Sequence, residues 1–308
     1  MEKNNLYIGI LSGTSMDSID CGIFQFRKNN FSLISFSENE YPLSIKKQII
    51  DNQESIKKYY KNSPLNAELA IEYSKIINNL LKKENIKNSD IKAIGMHGQT
   101  ISHGENNGKN FSIQIGCPLT ISNQTEIKVI AEFRQDDIQN GGSGAPLAPL
   151  FHEYLFKNSK TERVIVNIGG ISNISCLSHG NKNLIGFDSG PGNTLIDAWM
   201  RNRFNMNYDE DGKIAAKGSS NHELIKIFLE DRYFKLKYPK STSTEYFSYE
   251  WILKNINKSK LNLNDNDILS TLTNLTAVSI VQSIDKYSKD CKEIYICGGG
   301  ANNNSIMK

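Results

Sequence analysis

A run of small, hydroxyl-bearing and acidic residues, SGTSMDSID, occupies positions 12–20. Backbone N–H groups in such a turn can hold an anion, and the Ser and Thr hydroxyls can donate further hydrogen bonds to phosphate oxygens. The same residue types are ordinary turn formers, so a polar hairpin without a ligand is the alternative. The chain contains neither a G-x-x-x-x-G-K-[ST] loop nor a G-x-G-x-x-G loop, which excludes these two phosphate-binding motifs.

Asp188 stands at the end of a predicted strand in the segment IGFDSGPGNTLID. The pattern predicts a strand that ends at Phe187, then a glycine-rich loop, then a helix. Such a loop is too small to cover the Asp188 carboxylate, which would therefore be accessible, as a general base must be. The alternative is an aspartate that caps the turn or the helix.

Two further polar clusters have side chains that suit a sugar or an anion. The segment HGQT, residues 97–100, follows a strand predicted over 91–96 and offers donors and acceptors for sugar hydroxyls, although His97 taken alone could equally be structural. The segment FRQDDIQNGGSGAPLAP, residues 133–149, places Arg134 and two aspartates ahead of a glycine-rich loop. A guanidinium group donates two hydrogen bonds at once to a carboxylate or phosphate, and a surface ion pair is the alternative.

The elements that would carry these residues repeat one plan. An apolar run at 6–11 leads through the first polar turn into an alternating segment at 21–26, which predicts strand, turn and strand. A second copy runs from the apolar residues 164–168 through Gly169 and Gly170 into ISNISCL. Two such hairpins, one opening each half of the chain, indicate a duplicated domain.

Helical periodicity predicts helices at 64–83, 194–204 and 268–287, and a buried strand at 293–297 runs into three glycines. A strand followed by a glycine turn normally opens a helix whose N-terminus can hold an anion or a nucleotide. Because Lys308 follows only eight residues after this turn, we expect the C-terminal part of the second domain to be incomplete.

Bulk composition limits the possible classes of protein. A chain of 308 residues is long enough for two medium-sized domains with a cleft between them. The 36 basic and 33 acidic residues give a net charge of +3 without blocks of like charge, so no nucleic-acid partner is expected. No apolar run reaches the ~20 residues of a membrane span, and no signal peptide is recognisable, which predicts a soluble, cytoplasmic protein without a membrane partner. Five cysteines without a C-x-x-C pair predict reduced thiols.

Taken in order, seven segments resemble the anhydro-N-acetylmuramic acid kinase family: SGTSMDSID, MHGQT, FRQDDIQNGGSGAPLAPLFH, VNIGGISNI, GFDSGPGN, KSTSTEYF and CGGGANN. The resemblance implies an α/β fold of the two-lobed actin/hexokinase-like (ribonuclease H-like) type, built by duplication, with mixed sheets, helices and an interdomain cleft. The implied lobes are residues 1–140, with the first phosphate hairpin, and residues 141–308, with the second hairpin and the catalytic aspartate.

The reaction that the resemblance implies converts 1,6-anhydro-N-acetylmuramic acid, ATP and water to N-acetylmuramic acid 6-phosphate and ADP, in the recycling of peptidoglycan sugar. The family's water-activating base falls on Asp188. Its substrate contacts fall on His97, Gln99 and Arg134. The implied partners are a small amino sugar and ATP with Mg²⁺, and the family commonly forms homodimers.

Contacts to the nucleotide are implied along the first turn and at the glycines of the second half: Gly13, Thr14, Ser15, Met16, Asp17, Ser18, Ile19, Asp20, Gly169, Gly170, Gly298, Gly299 and Gly300. Asp17 and Asp20 are also candidates for orienting the water ligands of a metal ion. Ser18 stands where the family usually has glycine, and we expect a cost of roughly 1–2 kcal/mol if that position needs a positive φ. Ser243 and Thr244 stand where the family usually has Gly-Arg, so a cation that could face a phosphate is missing.

Two alternatives remain open from the sequence. Fold alone does not fix a substrate, so a kinase for another small sugar is the nearest alternative. The missing Gly-Arg pair and the early C-terminus favour the other alternative, a non-catalytic relative that binds sugar or nucleotide.

Overall fold

The computed structural model describes residues 5–14, 16–28, 30–106, 108–158, 160–178 and 184–308. The chain divides into two compact units, Met1–Gly144 and Ala145–Lys308. Each unit is a mixed sheet packed against helices, so the predicted α/β class is confirmed. Within the described part of the chain, no helix is both long enough and apolar enough to cross a membrane.

The first unit contains strands β1 (Leu6–Ser12), β2 (Ser18–Arg27), β3 (Asn30–Glu40), β4 (Ile91–Asn106), β5 (Lys109–Ile115) and β6 (Val129–Ile130), and helices α1 (Leu43–Asp51), α2 (Gln53–Tyr59), α3 (Pro64–Lys83), α4 (Pro118–Thr125) and α5 (Phe133–Gln139). The strand order is β3-β2-β1-β4-β5, and β6 pairs with β4. Strand β1 runs antiparallel to β2 and parallel to β4. The ends of β1 and β4 that carry the polar segments therefore lie at the same edge of the sheet.

The core of the first unit follows from residue periodicity. Alternate residues of β1, among them Ile8 and Ile10, point inward and are buried. Helix α3 starts at Pro64, where a missing N–H costs nothing, and buries Leu69, Tyr73 and Ile77 along one face. This packing fixes β1, whose last residue precedes the first polar turn.

The second unit contains strands β7 (Arg163–Ile168), β8 (Ile171–Leu177), β9 (Ile185–Pro191) and β10 (Glu293–Cys297), and helices α6 (Ala148–Phe156), α7 (Thr194–Trp199), α8 (His222–Leu229), α9 (Arg232–Lys235), α10 (Tyr249–Ser259), α11 (Asp265–Tyr287) and α12 (Asn304–Met307). The order β10-β7-β8-β9, with β7 parallel to β10 and antiparallel to β8, repeats the order β4-β1-β2-β3 of the first unit. The predicted duplication is thus visible in the topology.

Several predicted elements are confirmed and three differ in extent. Strands β7 and β10 and helices α3 and α11 lie where the sequence predicted them. Strand β4 continues to Asn106, so the segment HGQT lies within it and not after it. The strand has an irregularity beside Gly98 (φ +77°) where it pairs with β1, and from Gln99 onward it pairs with β5. Strand β9 continues to Pro191, because its last residues still pair with β8. The helix predicted at 194–204 is α7 followed by a wider π-type turn, Met200–Phe204.

Candidate active site

The first candidate phosphate turn joins β1 to β2. The Met16 N–H donates to the Gly13 carbonyl at 3.1 Å, and Met16 takes a left-handed φ of +53°. Lys46 of α1 donates to the Met16 carbonyl at 2.9 Å and lies 3.3 Å from an Asp17 carboxylate oxygen. Gly13 and Thr14 are exposed, whereas Ser15, also predicted to contact ATP, lies outside the described residues. A backbone hydrogen bond therefore closes the turn, and Lys46, which was not predicted as a site residue, stabilises it by a further hydrogen bond.

The backbone strain expected if Ser18 needed a positive φ does not arise. Ser18 begins β2 opposite Glu40, and an extended strand accepts any side chain without strain. The positive φ of this turn falls on Met16 instead. Ile19 is fully buried in the core, so a contact between it and a ligand would come from its backbone.

Two carboxylates flank the turn, and oxygen donors of this kind suit Mg²⁺ held partly through water. The Asp17 side chain is 74% exposed, while Asp20 accepts a hydrogen bond from the Ser18 hydroxyl at 3.2 Å. Among the residues that the structure describes, no group of three His, Cys, Asp or Glu side chains could hold a metal ion. A metal at this turn would therefore take further ligands from phosphate and water.

The side chains of His97 and Arg134 are in contact, a pairing that their spacing in the sequence did not predict. Arg134 Nε donates to His97 Nε2 at 2.8 Å, and His97 Nδ1 lies 2.8 Å from the Gly98 carbonyl. Since Nε2 accepts, the imidazole proton must be on Nδ1, which donates to that carbonyl. Burial and then the Arg134 charge lower the pKa of His97, and the Gly98 hydrogen bond offsets only part of this. The imidazole is therefore neutral and orients the guanidinium.

His103 is a second histidine of β4 near Arg134, and it was not predicted as a site residue. Burial and then the Arg134 charge lower its pKa as well. Its Nδ1 is buried and makes no hydrogen bond to another described residue. Two neutral histidines thus lie near one arginine. Their spacing of six positions on an irregular strand did not predict that both would lie near Arg134.

Gln99 connects β4 to the first turn. Its Nε2 donates to the Gly13 carbonyl and to the Thr100 carbonyl, both at 3.1 Å. Because both partners are acceptors, the amide orientation is determined, and its buried Oε1 has no hydrogen-bond donor within the described part of the chain. Gln99 therefore supports the turn and retains one unused acceptor.

A cavity of about 240 Å³ lies beside His97 within the first unit. Its lining includes an aromatic ring, a cation, a carboxylate and three amides: Tyr60, Lys61, Glu132, Asn66, Gln114 and Gln135. A mixture of amide, charged and aromatic groups can bind the hydroxyl, amide and ring faces of a sugar. Cys117, at the start of α4, also lines this cavity.

Asp188 lies on β9, which is the edge strand of the second sheet. Its backbone N–H donates to the Lys240 carbonyl at 3.1 Å, and its carbonyl accepts from the Tyr233 hydroxyl at 2.6 Å. Its Oδ2 accepts from the Thr242 N–H at 2.9 Å. The segment from Tyr233 to Thr242 therefore fixes both the peptide and the carboxylate, which is half-buried. The N-cap position of helix α7 is Asn193, so Asp188 does not cap this helix.

The second candidate phosphate hairpin packs against the loop that follows Asp188. The N–H groups of Gly192 and Asn193 donate to the carbonyls of Gly170 and Gly169, each at 2.8 Å. A Cβ on Gly192 would stand 2.2 Å from the Gly169 oxygen, so only glycine permits this approach. A Cβ on Gly170 would lie 3.2 Å from the Thr244 methyl group. The segment that holds Asp188 continues to Thr244 and thus also reaches the hairpin.

The final glycine turn closes on the same hairpin. Gly298 has φ +83°, and a Cβ on Gly300 would stand 2.2 Å from the Ile168 side chain. A 3₁₀ turn, Gly299–Asn302, follows, and its first residue lies near the Asn193 amide. The structure therefore brings Gly169–Gly170 and Gly298–Gly300 together, although 129 positions separate the first residues of the two (298 minus 169).

A family model and curated relatives assign this chain to one family. Residues 5–308 match the family described as anhydro-N-acetylmuramic acid kinase. The chain is 40% identical over 309 residues to the anhydro-N-acetylmuramic acid kinase of Shewanella pealeana, covering 99% of this chain and 82% of that protein. It is 41% identical over 306 residues to that of Shewanella oneidensis, covering 98% and 82%. A solved ROK family glucokinase from Streptomyces griseus has TM-score 0.40 and 11% identity, over 97% of this chain and 85% of that one, which assigns no residue a role.

Proposed function

The chain belongs to the anhydro-N-acetylmuramic acid kinase family, and we propose that Asp188 is the base that activates water in its reaction. The protein is an ATP-dependent sugar kinase. It converts 1,6-anhydro-N-acetylmuramic acid and water to N-acetylmuramic acid 6-phosphate with cleavage of the anhydro bridge, in the recycling of cell-wall sugar. Because ATP is the phosphoryl donor, we place the reaction in the cytoplasm.

The observation that carries the role of Asp188 is the way its carboxylate is held. The Thr242 N–H accounts for Oδ2, and the strand edge and the Tyr233 hydroxyl fix the peptide behind it. A carboxylate fixed in this way can take a proton from a water molecule with little reorganisation. The same segment lies against the second phosphate hairpin, so base and phosphate site share one support.

In the proposed step a water oxygen forms a bond to C1 of the sugar while the C1–O6 bond breaks. The water proton goes to Asp188. O6 keeps the electron pair of the broken bond and forms a bond to the γ-phosphorus, from which ADP departs. This resembles the base half of an inverting glycosidase, and no general acid is needed at O6 because phosphorus takes the place of the proton.

We propose that both hairpins are phosphate-binding segments. In the first unit the turn Gly13–Asp20 would contact phosphate, and Asp17 and Asp20 would orient water ligands of Mg²⁺. In the second unit Gly169–Gly170 would contact phosphate, and Gly298–Gly300 would lie on the adenine side. Mg²⁺ supplies charge neutralisation of the transferred group when bound.

For the sugar we propose the paired side chains of His97 and Arg134, with Gln99 behind them. The neutral His97 fixes the plane of the guanidinium, which can then donate to a carboxylate such as the lactyl group of the substrate. The neighbouring cavity of about 240 Å³ would take polar substituents of the sugar.

An isotope experiment tests the reaction. Substrate that carries ¹⁸O in the 1,6-bridge should give a product with ¹⁸O between C6 and phosphorus, visible as an isotope shift in the ³¹P spectrum. ADP release should require the anhydro sugar and be weak with N-acetylmuramic acid or glucose as matched acceptors. Faster turnover of a sugar without the bridge would favour another small-sugar kinase, and binding by calorimetry without turnover would favour a non-catalytic relative.

A further inference from the structure

Asp231 lies at the start of the segment that holds the proposed base. Its half-buried carboxylate caps α9, where Oδ1 accepts a hydrogen bond from the Tyr233 N–H at 2.8 Å. The same oxygen accepts from the Tyr246 hydroxyl at 2.7 Å, and Oδ2 accepts from the Trp251 indole N–H at 2.9 Å. All three partners donate, so the two oxygens of a carboxylate suit this position, whereas an amide with one oxygen cannot accept from all of them.

These hydrogen bonds join the two ends of one chain segment. Asp231 and Tyr246 are 15 positions apart. Between them lie three groups that hydrogen-bond to Asp188: the Tyr233 hydroxyl, the Lys240 carbonyl and the Thr242 N–H. The Asp231 carboxylate therefore closes the segment that fixes both the peptide and the side chain of the proposed base.

Trp251 connects this closed segment to the core of the second unit. Its buried ring stacks on Phe228 of α8 at a centroid distance of 5.0 Å and packs edge-on against Phe247 at 5.3 Å. Phe247 in turn packs edge-on against Tyr233 at 5.4 Å. Close-packed aromatic rings of this kind leave little room for movement. Asp231 is thus held by a rigid part of the fold.

The three hydrogen bonds favour the charged form of Asp231. Burial raises its pKa, but the hydrogen bonds from Tyr233, Trp251 and Tyr246 lower it more, so the pKa lies below its ordinary value. Hydrogen bonds to an ionised acceptor are stronger than those to a neutral one. The carboxylate therefore stabilises the closed segment better than an uncharged side chain of the same shape.

We propose that Asp231 is a positioning residue for this reaction, whose carboxylate closes residues 231–246 and so holds Asp188 in the orientation that water activation needs. The inference rests on the proposed role of Asp188. It requires no contact between Asp231 and the sugar or ATP, and it gives a function to Tyr246 of the segment KSTSTEYF.

A double-mutant cycle on kcat tests the proposal, with coupled ADP release at saturating anhydro sugar and ATP as the assay. Asp231→Asn keeps the shape but loses at least one of the three hydrogen bonds. Its kcat should fall about tenfold, less than the ~100-fold that a displacement of 1 Å can cost, while the KM for the sugar stays near the wild-type value. In Asp188→Asn the same substitution should change the residual kcat by less than about twofold, because no base is left to position.

Two further variants separate positioning from stability. Tyr246→Phe keeps the ring and removes one hydrogen bond, so kcat should fall about threefold, and again not in Asp188→Asn. Asn264→Ala is the matched control, because Asn264 caps α11 by accepting from the Asp267 N–H at 3.0 Å, as Asp231 caps α9. Asn264→Ala should lower the urea midpoint and leave kcat at the wild-type value.

Amide hydrogen exchange gives a second readout that does not depend on turnover. Peptides that contain the N–H groups of Asp188 and Thr242 should exchange faster in Asp231→Asn and in Tyr246→Phe, because both groups donate within the closed segment. In Asn264→Ala they should exchange at the wild-type rate.

The possible outcomes distinguish the two claims. With a slow Asp188→Asn, an equal fall in kcat on both sides of the cycle would overturn the Asp231 inference alone. The inference would also be wrong if Asp231→Asn kept the wild-type kcat and exchange rates, or if Asn264→Ala lost as much kcat. A wild-type kcat in Asp188→Asn would refute the base itself, and the Asp231 inference with it.

Discussion

Tyr233→Phe removes one hydroxyl from behind the proposed base and leaves the surrounding packing in place. The Tyr233 side chain is 4% exposed, and its ring packs edge-on against Phe247 at a centroid distance of 5.4 Å, which phenylalanine preserves. What is lost is the 2.6 Å hydrogen bond to the Asp188 carbonyl. Losing a buried hydrogen bond and leaving its acceptor unpaired costs about 1–2 kcal/mol, so the free energy of unfolding should fall by that amount.

The same substitution should also slow the reaction. The Asp188 peptide is held by the Tyr233 hydroxyl and by the Lys240 carbonyl, so the variant keeps one of these two anchors. A base that is less well positioned should lower kcat about tenfold, equivalent to ~1.4 kcal/mol, while the KM for the sugar stays near the wild-type value. Stability is measured by urea unfolding, and kcat and KM by coupled ADP release.

Tyr287→Phe is the matched control for this experiment. The Tyr287 ring also packs against the second core, at 5.0 Å from Phe187, but the one hydrogen bond of its hydroxyl to a described residue is a long one, 3.4 Å from the exposed Tyr238 N–H. It should change the free energy of unfolding by less than about 0.5 kcal/mol. Wild-type stability and kcat in Tyr233→Phe, or equal losses in the two variants, would refute the reasoning.

Three further predictions follow from the contacts. Gly192→Ala should lower the free energy of unfolding by about 1–3 kcal/mol, because its Cβ would stand 2.2 Å from a backbone oxygen of the second hairpin; an unchanged urea midpoint would contradict this. The free energy of unfolding should decrease as the pH falls below about 6.5, because burial lowers the pKa of His97 and the unfolded state then binds more protons. In His97→Gln the free energy of unfolding should depend less steeply on pH, and an equally steep dependence would contradict this prediction. Iodoacetamide should alkylate Cys117 before Cys297. Hydrogen bonds at the start of α4 outweigh burial and lower the pKa of Cys117, whereas burial raises the pKa of Cys297. Peptide mapping measures the order of alkylation, and alkylation of Cys297 first would contradict the prediction.

Local patterns were enough to predict much of the fold. The strands of the two hairpins pair with their neighbours in sequence, and the apolar residues of α3 recur at helical spacing. Strand β3 gave no signal, because most of its residues are exposed or half-buried and it lacks a buried face. The extension of β4 was missed because its bulge at Gly98 interrupts the alternation on which a strand prediction depends.

The sequence named candidate site residues, but it did not predict which of them contact one another. Arg134 and His97 are 37 positions apart, and the Asp188 partners Tyr233 and Thr242 lie 45 and 54 positions away. Sequence spacing cannot determine such pairs, since they depend on how strands and loops pack. Lys240 did stand within a segment that resembles the family, but its burial and its neighbours, which set its pKa, become visible only in the structure.

The most direct test of the account is the kcat of Asp188→Asn. Asparagine has nearly the same shape and can still accept the Thr242 hydrogen bond, so the free energy of unfolding and the affinity for the sugar should stay near the wild-type values. Without a group that takes the water proton, kcat measured by ADP release should fall by about 10²–10⁴-fold. A kcat near the wild-type value in a folded, sugar-binding Asp188→Asn would contradict the account.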